Sequence, residues 1–577
     1  MGIATTRQLE RLAASLGEMD GATLHFEVVD DVPCAGVLCA LPALLMHGLL
    51  GGNISEFSLP KGFYPLESIF LSVAILALTR TPSLEQARYL APGEFGKLLG
   101  IDRIPEVKTL RNKIAHLSDD PAILARWQAA LSQQWMQATD SEIIGALLID
   151  GHTRVYHGEL TALPRRYISR ERLCLRATTD YWVNALDGQP FFCVTKAIDP
   201  GLQHVLEQEI VPRLLREMPG QPSAEALAAD PLLHRFIVVF DREGYSPALA
   251  ARLWQLRIAV LTYHKYPGEG WDVGEFAPAE VTSVHGETST LQLAERGAWL
   301  ASGKLWVREV RRLSENGHQT SIICTAYRLK LPAIAGTMFA RWNQENYLKY
   351  MRQHYGLDKL VEQGTAPLPD STRLVNPAWR RLDGAVRSAR GKLTRQQADY
   401  AKESLEQSGV RTADEAARFE ARKGSALARM QEAGQVLEEL KTKLKATPRH
   451  ITLKDLPEEQ RAAQLRPKRK AFIDTIKLIA YRAETTLVQI VREVMSRADD
   501  AHSLIRGLMV TTGNLRPDPE KKELRIELHG QTNPIHDKAI EHLCAELNEL
   551  EVAYPGSDLI LKYTPLRSSK LPGGQDV

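Results

Sequence analysis

Three acidic side chains fall where metal-assisted phosphodiester chemistry needs them. Asp150 closes the apolar run Ala146-Leu147-Leu148-Ile149, and Asp241 closes Phe236-Ile237-Val238-Val239-Phe240. Glu345 lies in the helical stretch Arg341-Trp342-Asn343-Gln344-Glu345-Asn346-Tyr347. A carboxylate at the end of a buried strand is costly unless something compensates its charge. For several convergent carboxylates the usual compensation is a shared divalent cation. Around the third acid, Arg341, Glu345, Lys349 and Arg352 share one helix face about 80° wide, and Tyr347, Leu348, Met351 and Tyr355 form the apolar stripe beside it. An isolated helix would use Arg341 and Glu345 only as an i,i+4 ion pair worth ~0.3–0.5 kcal/mol. That pairing explains neither aspartate.

Positioning these residues requires a sheet and a helix packed on it. Residues 143–267 supply the pattern. The Asp150 strand is followed by strands near 173–184 and 190–198 that flank Asp187-Gly188, a hairpin signal. A helix at 203–217 comes next, with Pro212 expected to kink it. The Asp241 strand, a helix at 247–256 and a strand at 258–263 complete the order βββαβαβ. This is the plan of an RNase H-like α/β fold, a mixed sheet covered by helices. Residues 268–336 interrupt that plan with short alternating segments at 305–310 and 320–328, read as an antiparallel β insertion.

The flanks read differently. Residues 1–120 are helical. They end in a short helix, a Gly100 turn and a basic helix at 106–117 that offers Lys108, Arg111, Asn112 and Lys113. This is either a helix-turn-helix-like DNA-binding unit or an ordinary three-helix packing unit with a solvated basic face. Residues 121–142 read as a linker, and 143–370 as the catalytic domain. Alternating charges over 382–445 permit a helical hairpin or coiled coil in 371–447. Residues 448–577 form a mixed region with an amphipathic helix at 472–495 and strands near 524–528 and 559–561, suited to dimer or DNA contacts. The last eleven residues are expected to fray.

A chain of 577 residues is too long for one core, and a net charge of +2 argues neither for nor against nucleic acid. Six cysteines without a CxxC pair give no zinc-finger signal and suit a reducing compartment. No apolar h-region follows Met1, so a cytoplasmic, nucleoid-associated protein is expected. Residues 32–55 carry no formal charge and reach the length of a membrane span. Pro33, Pro42, His47 and, at the end, Gly48, Gly51 and Gly52 mark them instead as a buried core helix.

Three motifs together make the chain resemble a DDE transposase of a bacterial insertion sequence. They are Asp150-Gly151-His152-Thr153-Arg154 after an apolar strand, Val239-Phe240-Asp241-Arg242-Glu243-Gly244-Tyr245, and Arg341-x3-Glu345-x6-Arg352. The resemblance is to the branch with a β-rich insertion between the second aspartate and the glutamate, and it covers residues 143–360. The third motif fits that branch's tyrosine–arginine–glutamate–lysine signature in part. Met338 stands where the tyrosine is expected, and Arg352 replaces the lysine. The arginine keeps the charge, while the tyrosine's hydroxyl contact is lost or supplied elsewhere. The resemblance implies that Asp150, Asp241 and Glu345 hold two Mg²⁺ or Mn²⁺ ions and catalyse cut-and-paste transposition.

The same resemblance implies double-stranded DNA as partner, both the terminal inverted repeats and the target, and a homodimer at synapsis with no membrane contact. Arg341, Lys349 and Arg352 are then phosphate contacts. Arg242 reads equally as a phosphate contact or an ion-pair partner. His152 either orients water or phosphate or, more simply, hydrogen-bonds a backbone carbonyl in a strand-end turn. Basic clusters at Arg165, Arg166, Arg170, Arg172 and Arg176, at Lys304, Arg308, Arg311 and Arg312, at 380–395, and at Arg466, Lys468, Arg469 and Lys470 suit a phosphate channel. Trp299 and Trp306 could stack a flipped base, with core packing as the plainer role. Two alternatives remain: a metal-dependent nuclease or resolvase on the same fold, and a transposase-derived regulator that binds DNA without cutting it.

Overall fold

A computed structural model describes residues 7–158, 163, 165–168, 171–196, 198–300, 304–359, 365–405, 412–458, 461, 463–495, 497–530 and 533–566. Arg170 and residues 567–577, expected to fray, lie outside them. The chain divides into two compact units. One contains Met1–Tyr156, Ala177–Gly364 and Leu465–Val577; the other contains His157–Arg176 and Thr365–Gln464.

The first unit is built on a large mixed sheet. Its strands are β1 (Ala146–Val155), β2 (Leu173–Asn184), β3 (Pro190–Lys196), β4 (Ile237–Phe240), β5 (Ala259–Tyr263), β6 (Ala277–Thr282), β7 (Thr288–Leu300), β8 (Leu305–Leu313) and β9 (Gln319–Cys324). They lie in the order β3-β2-β1-β4-β5-β9-β8-β7-β6. β1, β4 and β5 pair in parallel, and β2, β3 and the β6–β9 insertion pair antiparallel. The centre reads as continuous apolar sequence because both faces are covered: Leu147, Leu148, Ile149, Val238, Val239, Val260 and Leu261 are at most 1 % exposed. The βββαβαβ order and the antiparallel insertion expected from the sequence are both present.

The hairpin turn at Asp187-Gly188 forms as expected. Gly188 has φ +89°, and a Cβ there would sit 2.8 Å from the Asn343 carbonyl oxygen, so a side chain is excluded where the turn meets the Glu345 helix. The helix at 203–217 departs from expectation: it widens into a π turn at Leu206–Ile210 just before Pro212. The widened turn absorbs the missing proline N–H without a sharp break.

Residues 121–142 are not a linker. Asp120 caps a helix, Pro121–Gln137, by accepting from the Ala122 and Ile123 N–H groups, and Leu124, Trp127, Leu131 and Trp135 of that helix are buried. The Asp-Pro pair is an N-cap followed by an N1 proline, and it starts a helix whose apolar residues Leu124, Trp127, Leu131 and Trp135 recur at helical spacing. The 32–55 segment is not one buried helix: Ala35–Ala40 is a buried 3-10 turn, Leu41–Met46 a short helix buried over its first four residues, and Gly52–Glu56 a turn with no buried residue. Among the described residues no helix is long and apolar enough to cross a membrane.

The chain's two flanks meet in this unit. Val29–Val32, Gly513–Asp518, Glu523–Leu528 and Ile560–Pro565 form a second sheet in that order, the last two in parallel. The expected amphipathic helix near 472–495 spans Lys468–Arg492 and is buried on nearly every side, from Phe472 to Val491. In the second unit, helices Pro377–Leu405 and Ala413–Ala446 pack against each other, with Arg422 paired to Glu403 at 3.7 Å.

Candidate functional site

The three acids come together around one guanidinium. Of the longer helices of the first unit, in chain order, α1 is Leu66–Leu78, α2 Val107–Leu117, α3 Pro121–Gln137, α4 Pro247–Gln255, α5 Leu331–Phe339 and α6 Arg341–Tyr355; Asp150 lies in β1, Asp241 follows β4, and Glu345 sits on α6. Arg341 Nη2 is 3.6 Å from Asp150 Oδ2 and 3.8 Å from Glu345 Oε1, and Nη1 is 3.6 Å from Asp241 Oδ1. Two oxygens this near one nitrogen lie within about 8 Å of each other, a span that a metal pair ~4 Å apart can bridge.

α6 is held against the sheet by residues that the sequence pattern did not single out. The Gln344 side-chain amide donates toward the Leu148 and Trp182 carbonyl oxygens, both at 3.1 Å, and to Asn184 Oδ1 at 2.9 Å. Asn343 donates to the Leu186 carbonyl oxygen. Tyr347, Leu348, Met351 and Tyr355 are buried as the apolar stripe required. Glu345, Lys349 and Arg352 are exposed, whereas Arg341, on the same face, is buried. It turns inward because three carboxylates wait there.

The electrostatics are under-compensated. Burial raises the Asp150 carboxyl above the usual aspartate range; Arg341 and the Gly151 N–H pull it back, while Asp241 and Glu345 push it further up. One cation facing three acids at 3.6–3.8 Å is loose pairing. The donor set is oxygen only, the preference of hard divalent cations. Among the described residues no three acidic, histidine or cysteine side chains close tightly enough to grip one ion. Arg341 fills the space between them, so an ion there would have to displace its guanidinium. The chemistry of the donors fits Mg²⁺ or Mn²⁺, with Arg341 as a cation already drawn to the centre.

β1 does not end at Asp150. It continues to Val155 because its next inward residues find buried partners. His152 is in the strand, not a turn, and its Nε2 lies 2.6 Å from Asp358 Oδ1 rather than bonding a backbone carbonyl. Arg154 pairs with buried Asp180. Asp358 also accepts from Arg352 Nε at 2.8 Å. Burial alone would raise its pKa, but His152 and Arg352 outweigh that and bring it down to about 2. Asp358, six residues past Arg352, carried no motif in the sequence. Tyr263, at the end of β5, was also missed. Arg341 and Arg242 lie 6.0 and 5.6 Å from its ring centroid, and its hydroxyl is raised first by burial and again by Asp241 and Glu345.

The other candidates are scattered. Arg242 is exposed beside Tyr263. Lys108 is exposed on α2; Arg111 pairs with Glu85 at 3.1 Å, and Lys113 donates to the Pro60 carbonyl oxygen at 3.3 Å. In the insertion, Arg308 pairs with Glu295 and Arg311 with buried Glu309, so these two serve the fold. Trp299 and Trp306, for which packing was the plainer role, face each other across β7 and β8 and are 65 % and 37 % exposed. Period-2 alternation puts them on the same face of the insertion, where Trp306 packs against the Tyr327 ring at 5.4 Å between centroids and Trp299 is the more open of the two.

The model of a family described as Transposase protein matches residues 2–567. The chain belongs to that transposase family, whose members act on DNA. No curated protein matches it.

Proposed function

We propose that this transposase is of the DDE type, on an RNase H-like core, and moves its element by cut-and-paste transposition. The convergence of Asp150, Asp241 and Glu345 on Arg341 carries the reading. The parallel β1-β4-β5 centre with antiparallel β2 and β3 supports the core assignment. Two Mg²⁺ or Mn²⁺ ions, held by the three acids, would activate the nucleophile and stabilise the leaving oxygen. The protein's own residues do the rest. Arg341 keeps the acids from repelling one another before DNA arrives. Lys349, Arg352 and Arg242 line the approach as phosphate contacts, and Asp358 holds Arg352 in place together with His152. Tyr263 offers the hydroxyl contact that Met338 cannot. Trp299, 65 % exposed, presents an aromatic face on which a base displaced from the duplex would stack, beside Trp306. Synapsis of two ends requires two protomers.

Each of Asp150→Asn, Asp241→Asn and Glu345→Gln should lower metal-dependent cleavage of element ends at least about a hundredfold, with end binding in chelator unchanged. Retained nicking in any one of them sinks the assignment. Joining of the cut end to target DNA separates a transposase of this type from a hydrolytic nuclease.

A further inference from the structure

Between the C-terminal half of α2 and the start of the Lys468–Arg492 helix lies a cleft of ≈ 400 Å³ lined by Asn112, Ala115, His116, Ser118, Asp119, Arg466, Lys468 and Arg469. Three of these side chains are cationic and one is acidic. Lys468 donates to the Asp119 carbonyl oxygen at 2.5 Å and lies 3.5 Å from its carboxylate, which fixes the ammonium at the rim. Lys108, Asn112 and His116 are exposed and recur every fourth residue, so they form a polar stripe ~12 Å long leading into the cleft.

We infer that this cleft docks the sugar–phosphate backbone of duplex DNA, at a place separate from the three acids. The inference rests on the transposase reading above. The lining is rich in donors and cations that match phosphate oxygens. It holds no Phe, Tyr or Trp to stack a free base and no large apolar side chain to seat a lipid or an apolar peptide. A duplex strand advances 3.4 Å per base step, so a stripe of about 12 Å follows three to four steps of backbone. Sequence-independent contacts of this kind fix the register of a protein on DNA while base edges are read elsewhere.

The test is binding of the full-length protein to labelled duplex in chelator, followed by fluorescence anisotropy over a range of salt. Each phosphate neutralised contributes about 0.9 to the slope of log affinity against log salt. The double variant Arg466→Ala/Arg469→Ala should lower that slope by about 1–2 and weaken binding roughly tenfold at low salt; Arg466→Lys/Arg469→Lys should keep the slope. An unchanged slope in the alanine variant overturns the inference. So does equal competition by a mononucleotide or by polyglutamate, which would make the cleft a nucleotide or acidic-peptide site. Should the alanine variant fail to fold, acylation of Lys468 in the unaltered protein decides: duplex must protect it, and an unprotected Lys468 overturns the assignment. Because ions are chelated throughout, failure here leaves the cleavage result with Asp241→Asn untouched, and the reverse also holds.

Discussion

Helix α6 carries an acid–base cluster at each end, and the two follow opposite rules. At the N-terminal end, three carboxylates share one guanidinium at 3.6–3.8 Å, and Asp241 and Glu345 are nearly half exposed. At the C-terminal end, one carboxylate serves three donors. Glu484, 1 % exposed, accepts from Arg80 at 2.6 Å and from the hydroxyls of Tyr350 and Tyr355. The Arg80 guanidinium also lies 4.6 Å from the Tyr355 ring centroid. In the inner cluster both Glu484 oxygens find donors, although Arg80 Nε and Nη1 are buried without a partner, and these bonds anchor the helix. The outer one has surplus negative charge and access to solvent, which is what a site awaiting a cationic ligand requires. The same helix thus converts rigidity at one end into placement of Glu345 at the other.

Three measurements would break or sharpen this contrast. The largest effect is expected from Glu484→Ala, which strands a buried Arg80 and two tyrosine hydroxyls. A loss of about 3–5 kcal/mol is expected in denaturant unfolding; a loss below about 1 kcal/mol would mean that the inner cluster does not anchor α6. Next is Lys477, whose Nζ reaches the carbonyl oxygen of Gly356, the cap of α6, at 3.4 Å. Burial lowers its pKa to about 8, against a smaller opposing pull from Asp474. The folded protein therefore binds fewer protons than the unfolded chain between pH 8 and the ordinary lysine range. Lys477 should destabilise below pH 8 and cease to do so as pH rises. Relative to Lys477→Met, the parent should gain up to about 2–3 kcal/mol from pH 8 to pH 10.5; parallel melting curves across that range would refute it.

The smallest effect is expected at the outer cluster. Arg341→Met removes the shared cation and should cost about 1–2 kcal/mol in chelator. Mn²⁺ should then raise the melting temperature more in the variant than in the parent, because the proposed ions no longer have a guanidinium to displace. An equal response in both would remove Arg341 from its role as stand-in cation.

Much of this was legible from residue order alone. Strand β1, the Asp187-Gly188 hairpin, the insertion and the buried stripe of α6 follow from apolar period, turn chemistry and helical spacing. The three acids were visible because each closes or punctuates such a pattern. What was not legible had no local signature. Asp358 is an ordinary acid in the chain and becomes a double acceptor only because β1 runs on past Asp150. Tyr263 looks like the end of a buried strand. The helix after Asp120, by contrast, does carry local signals, its capping pair and the apolar spacing of Leu124, Trp127, Leu131 and Trp135. Trp299 and Trp306 read as core residues because large aromatics usually are; Trp306 does pack, against Tyr327, while the insertion leaves Trp299 exposed.

Sequence by itself determined the strands and helices around the three acids and which residue types could do chemistry, because periodicity and capping act over a few neighbouring residues; it did not give the helix Pro121–Gln137, read as a linker, or the strand Val29–Val32, which lies in a region read as helical. Only the tertiary structure decided that Arg341 is shared by three acids, that Lys468–Arg492 is a central buried helix, and that α2 meets Arg466 and Arg469 across a basic cleft. Those outcomes depend on contacts between residues far apart in the chain, and no local pattern encodes which distant charges will meet.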